Sequence, residues 1–339
     1  MTSESTSTGR LASLVAPCAA MDPAPFLRGG LAGGRIAEEF RAKLPHDTWH
    51  TAAIPAGMRL ELASRAEAVV LVIETATRNP LAAPTMPDSV SVWCEDERVA
   101  LLPVSESGGA VTVPLRPDGK TYIVHLPEAL GARPTALVPL GGGITPAAQG
   151  PRWLAYGDSI TQGWSASDPG LTYPAVVARG LALDVWNLGF AGAARGEIAV
   201  AQQIAMLEAD IISLAFGTNN WTTIPTGPAH LAGILADFVA VVRSGQPRTP
   251  ILVVGPIVRP EAEQTPNPIG ATLATLRAAL SAEANRLASA DPALAFVDGG
   301  RMVTPAQLTD GIHPDDEGHR AMAESVGPAL AGLLAAASG

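Results

Sequence analysis

The chain has 339 residues, enough for two domains or one large one. Apolar residues make up 47% and charged residues only 16%, much of the apolar share being small side chains, which excludes wholesale disorder and a coiled coil. A formal charge of −10, spread along the chain, argues against a nucleic-acid partner, and no run reaches the roughly 18 apolar residues of a membrane-spanning helix, so integral membrane association is not expected.

At the start, Arg10 precedes an apolar run from Leu11 to Ala20 that has the length of a signal-peptide core, but Glu4 and one arginine make a poor basic lead-in. Residues 1–24 are therefore read as a loosely ordered leader, and the localisation as cytoplasmic with secretion as the alternative. Cys18 and Cys94 are too few for a disulfide framework, and neither has a Cys or His neighbour at metal-site spacing. Cys94, in a strand-like run, reads as a small buried hydrophobe.

From about residue 48 to 140, short strand-like segments alternate with Pro, Gly and Asp: Met58 to Ala63, Ala68 to Thr75, Ser89 to Glu95, Ala110 to Leu115, Lys120 to Leu126 and Thr135 to Val138. Asp118-Gly119 lies between two of them and predicts a hairpin, since both positions accept the positive φ of a primed turn. Residues 25–145 thus read as an all-β sandwich accessory domain.

A breaker-rich passage, Gly141-Gly142-Gly143 to Gly150-Pro151, precedes a change of character. Strands are predicted at Trp153 to Tyr156, Leu183 to Trp186, Ile211 to Ala215, Ile251 to Val254 and Ala293 to Val297. Helices are predicted at Tyr173 to Leu181, Ile198 to Glu208, Ala229 to Arg243, Thr272 to Ala290 and Ala321 to Ala336. Leu273, Leu276, Leu280, Ala284 and Leu287 make one apolar stripe. This alternation over residues 146–339 predicts an α/β domain, a parallel sheet between crossover helices, with functional groups beyond the carboxyl ends of the strands.

Four short segments fall at such places. Gly157-Asp158-Ser159 follows the first strand and could expose a hydroxyl, although the triplet is also ordinary turn chemistry. Asn187 to Gly192 follows the second, where glycines permit a tight turn that aims a backbone N–H into a cleft or merely reverses the chain. Gly217-Thr218-Asn219-Asn220 follows the third, and an amide there can donate to a developing oxyanion or tie down its own loop. Asp310-Gly311-Ile312-His313 precedes the last helix, with a spacing that lets the carboxylate hold one imidazole nitrogen while the other faces Ser159. Trp164, Asn220 and Trp221 are candidate pocket residues; the alternative is that the two tryptophans pack against the sheet or a domain interface. Asp168 reads as a solvent cap and His319 as a surface or packing residue.

Asp310, His313, Asp315, Asp316 and His319 crowd one segment but match no zinc or EF-hand pattern, so no metal and no cofactor is expected. Asp315 and Asp316 suit the dipole at a helix start. The Gly141 run lacks the features of a nucleotide loop.

Taken in order, the four segments resemble those of the SGNH/GDSL hydrolase family over roughly residues 151–337. The resemblance implies a three-layer α/β/α hydrolase domain, Ser159 as nucleophile, His313 as its base and Asp310 orienting it. It also implies oxyanion donors from the Ser159 N–H, the Gly192 N–H and the Asn219 side chain, with Gly189 as a turn glycine. The third block departs from the family's Gly-x-Asn-Asp by ending in Asn220, which puts its loop hydrogen bonds in question. A β-rich half before such a domain is similar to the jelly-roll-plus-hydrolase layout of certain bacterial carbohydrate esterases. The expected partner is a small-molecule or carbohydrate ester, with the oligomeric state left open. An inactive glycan-binding or structural protein, or an esterase for lipids or other small molecules, are the competing readings.

Overall fold

The computed structural model describes residues 19–31 and 34–338. Most of the apolar run from Leu11, with Cys18, lies outside them. Met21, assigned above to the leader, bridges to Leu137 through paired backbone bonds.

Among the described residues the first half holds nine strands: β1 (Leu27–Arg28), β2 (Arg59–Ser64), β3 (Ala68–Glu74), β4 (Ser89–Cys94), β5 (Glu97–Pro103), β6 (Gly109–Pro114), β7 (Thr121–His125), β8 (Arg133–Leu140) and β9 (Ile144–Pro146). They form two antiparallel sheets, one ordered β1-β2-β7-β4-β5 with β9 on β2, the other β6-β3-β8. Strand alternation sends Leu60, Leu62, Val69, Leu71, Val90, Val92, Tyr122 and Val124 into one apolar cluster between the sheets. Cys94 is buried there as a free thiol.

Two expectations for this half need correction. Asp118-Gly119 does not close a hairpin, because β6 pairs with β3 and β7 pairs with β2 and β4. The turn instead carries the chain from one sheet to the other, with Gly119 at φ +79° donating to the Ser64 carbonyl. The tight hairpin joins β4 to β5 through Glu95 and Asp96, with Glu95 at φ +55°. Finally, the segment 36–52, with helix α1 (His46–Ala52), is not part of the sandwich core: Ile36, Phe40 and Ala52 pack with Phe190, Val200 and Ile204 of the second half.

The second half is the predicted α/β domain. Its strands β10 (Arg152–Gly157), β11 (Asp184–Gly189), β12 (Ile211–Ala215), β13 (Ile251–Val254) and β14 (Leu294–Val297) form a parallel sheet ordered β11-β10-β12-β13-β14. Helices α2 (Ser159–Gln162), α3 (Tyr173–Leu181), α4 (Ile198–Met206), α5 (Asn219–Thr222), α6 (Pro228–Gly245), α7 (Leu273–Ala290) and α8 (Asp316–Ser338) follow in chain order. Leu154, Tyr156, Ile212, Leu214, Ile251 and Val253 face α4, α6 and α7. Trp153, Ala155, Ile211, Leu252 and Val254 face α3 and α8. Both sheet faces are therefore covered, which is why these strands read as nearly continuous apolar runs. Strand order reverses at β10, opening a crevice at its carboxyl end between the loops after β11 and β12.

Asp168 joins the halves instead of capping in solvent. It is wholly buried, accepts from Ser91 Oγ at 2.7 Å, Trp93 Nε1 at 3.2 Å and Gly170 N at 2.7 Å, and pairs with Arg98. The outer face of β2 adds Arg59, which donates to the Val185 carbonyl and pairs with Asp184. No helix among the described residues is long and apolar enough to cross a membrane.

Candidate active site

Ser159 is the first residue of α2, directly beyond β10. Asp158 caps that helix by accepting from Ile160 N, and burial pushes its carboxyl up to about 7. The turn is tied to its neighbours on both sides: Asn187 donates to the Thr161 carbonyl at 2.7 Å, and Gln162 accepts from Ala191 N at 2.9 Å. Gly189 is required by close approach, because a Cβ there would lie 2.2 Å from Gln162 N.

His313 arrives from the loop before α8, 2.8 Å from Ser159 Oγ through Nε2 and 2.7 Å from Asp310 Oδ2 through Nδ1. Asp310 Oδ1 also accepts from the backbone N–H groups of Ile312 and His313, so one loop turn fixes both side chains. Burial raises the Asp310 carboxyl, but the hydrogen bonds from His313 and Ile312 outweigh it and hold it below its ordinary value. A carboxylate can only accept, so Nδ1 carries the ring proton and Nε2 is left to accept from the serine hydroxyl. Burial lowers the His313 pKa below 6.5 against the pull of Asp310, keeping the ring neutral at pH 7.

Gly192 sits in the loop after β11 at φ +69°, with open space where a side chain would project. That loop is braced by Tyr156, whose hydroxyl donates to Glu197 at 2.6 Å and accepts from Gly196 N at 2.9 Å. Asn219 opens α5 after β12, its amide making one long bond of 3.3 Å to the Ala194 carbonyl. Among the described residues the N–H groups of Ser159 and Gly192 have no acceptor. The three donors thus stand on the segments that follow three adjacent strands, β11, β10 and β12, and donors brought to one carbonyl oxygen can hold charge developing on it.

The other predicted residues divide. Trp164 is half-buried with its ring 5.6 Å from that of His313, at the mouth. Trp221 is buried in the apolar cluster behind α5, its indole donating to the Thr265 carbonyl at 3.0 Å. Asn220 is not placed as a pocket wall: it is 1% exposed and its amide turns inward to Thr226 Oγ1. This bond, with Thr226 N donating to the Asn220 carbonyl, closes the loop where the family pattern has Asp. His319 packs inside, with Nδ1 accepting from Tyr173 N and Nε2 donating to the Trp164 carbonyl, and burial lowers it to about 4. Asp315 caps α8 through Gly318 N and Asp316 holds Ser167, so the acidic residues of this segment have separate tasks.

Cavity size alone would not locate this site. A cavity of about 500 Å³ lies between the outer face of β2 and β7 and helix α3, and none of Ser159, Asp310 or His313 lines it. Sequence reasoning also passed over Tyr156 and Glu197, whose bracing of the Gly192 loop depends on folded contacts and leaves no local motif.

Residues 155–321 match the family described as GDSL-like Lipase/Acylhydrolase. Among solved structures, the chain is similar to a salicylyl-acyltransferase from a tetracycline biosynthetic pathway, at 25% identity and a TM-score of 0.79, covering 94% of this chain and 98% of that one. A GDSL-like lipase from Bacteroides ovatus aligns at 19% identity and a TM-score of 0.77, covering 93% and 98%. A family two carbohydrate esterase from Clostridium thermocellum, in complex with cellohexaose, aligns at 15% and 0.60, covering 82% and 92%. No curated protein sequence matches the chain.

Proposed function

With a GDSL-like lipase/acylhydrolase domain over residues 155–321 the chain is an SGNH-type hydrolase, and from that premise we propose that it cleaves a short acyl ester through an acyl-enzyme on Ser159. The observation that carries this reading is the hydrogen-bonded line from Asp310 through His313 to Ser159 Oγ, beside three free or weakly held donors. His313 takes the serine proton as Oγ bonds to the ester carbonyl carbon. Ser159 N–H, Gly192 N–H and the Asn219 amide hold the oxyanion, and the tetrahedral species collapses as His313 passes the proton to the leaving alcohol. Water, deprotonated by the same ring, then releases the acid. Trp164 beside His313 offers an aromatic face to the alcohol side, which suits a sugar as well as an aryl group.

The base must be neutral, and its pKa is depressed. Activity is therefore retained at pH 7 and lost as pH falls through a value below 6.5. The expected result is an acid limb of kcat/KM for a neutral ester centred below 6.5; a limb centred at 7 or above contradicts the assigned environment of His313.

A carbohydrate acetyl ester is the favoured substrate, on the likeness in fold to a carbohydrate esterase, with the β-sandwich as an accessory unit. The likeness to a salicylyl-acyltransferase supports a second reading, in which an acceptor hydroxyl replaces water in releasing the acyl group. Turnover of acetylated saccharides beside short and long para-nitrophenyl esters, with and without added alcohols, tests the choice. Acetate release from the saccharides is expected; acetyl preference without saccharide turnover removes the carbohydrate assignment, and ester products formed from the alcohols favour transfer.

A further inference from the structure

The loop after β13 leaves the sheet between the loop bearing Asn219 and the strand that leads to Asp310 and His313. It carries Arg259, an unusual residue for such a place because its side chain is only 10% exposed. The guanidinium lies 4.7 Å from the centre of the Trp221 ring, two residues from Asn219 on the same helix. Its Nε is buried with no hydrogen-bond partner. Its one side-chain hydrogen-bond partner among the described residues is Glu261 at 3.2 Å, which is itself 71% exposed.

A buried cation with unused donors costs free energy unless something pairs with it. Trp221 supplies a flat support that fixes the plane of the fork, and a planar fork matches a carboxylate. An exposed Glu261 is an exchangeable occupant, so a substrate anion can take its place at little desolvation cost. The charge of Arg259 is also felt at His313, where it opposes protonation of the ring.

We propose that Arg259 is a specificity-determining residue that holds a carboxylate carried by the ester substrate. The inference rests on the hydrolase reading above and narrows its substrate class from any short ester to one that also bears an acid group. The acid belongs either to the acyl chain or to the leaving alcohol, and two substrate pairs separate these sources. One compares the para-nitrophenyl monoester of succinic acid with that of succinamic acid; the other compares para-acetoxybenzoate with para-acetoxybenzamide.

In at least one pair, the wild type is expected to prefer the acid over its amide by about tenfold or more in kcat/KM, the size of a charge-assisted contact. Arg259→Met should bring that ratio near one, whatever happens to the turnover of the amide, and Arg259→Lys should keep part of it. Competitive inhibition of the wild type by succinate or benzoate, but not by the matching amides, gives the same answer without a variant. A wild type that turns over the amides with no preference for either acid overturns this proposal and leaves the hydrolase intact. An acid preference that survives in folded Arg259→Met also overturns it. Failure to cleave any of the four esters, in a protein that hydrolyses acetylated saccharides or other para-nitrophenyl esters, also overturns this proposal; failure on every ester overturns both.

Discussion

Replacing Ser159 by alanine is expected to lower kcat/KM on any accepted ester by about 10⁴-fold or more, because the nucleophile and its base act as one unit and what remains is the donor set and binding. The fold should survive. Among the described residues Ser159 Oγ bonds only to His313, and the helix start at this point is held by Asp158, not by the serine hydroxyl. The cost in stability is therefore about 1 kcal/mol, the worth of one hydrogen bond. Steady-state rates on purified variant, with a thermal melt as the control, give the answer; a residual rate within tenfold of wild type on cleanly folded protein would remove Ser159 from the reaction.

The second large effect concerns Asn219. Among the described residues its amide has a single weak partner, the Ala194 carbonyl at 3.3 Å, so most of its donor strength is held for another acceptor. If that acceptor is the developing oxyanion, Asn219→Ala lowers kcat by about 10²- to 10³-fold with little change in KM, since the contact strengthens only as charge appears. A raised KM at constant kcat would instead assign the amide to ground-state binding. A change in neither, on folded protein, would leave Asn219 as the brace of its own loop.

Much of the second half was legible because a sheet covered on both faces writes itself as apolar runs. Ile211–Ala215, Ile251–Val254 and Tyr173–Leu181 were predicted with their observed bounds. The four segments were visible for a related reason: each stands at a strand's carboxyl end or before the last helix, where local sequence dictates loop shape. The first half was less legible. Asp118-Gly119 has the chemistry of a positive-φ turn, but that chemistry does not say whether the next strand joins the same sheet or the facing one. The actual hairpin at Glu95-Asp96 uses a non-glycine residue at positive φ, a choice no turn preference predicts. β5 was missed because its edge position leaves Glu97 and Arg98 exposed and breaks the apolar pattern. Asp168 and the 36–52 segment derive their roles from contacts far away in sequence, so nothing near them could have announced those roles. Asn220 shows the converse, a residue singled out by a motif position whose side chain the fold turns inward.

Covalent capture tests the central claim most directly. Wild-type protein treated with a fluorophosphonate at neutral pH, digested and analysed by mass spectrometry should carry one phosphonyl group, on Ser159, and the adduct should be absent from Ser159→Ala. It should form more slowly below the His313 pKa, as the base becomes protonated. Wild-type protein that hydrolyses esters yet remains unlabelled at Ser159, or that is labelled on another residue, would contradict the account.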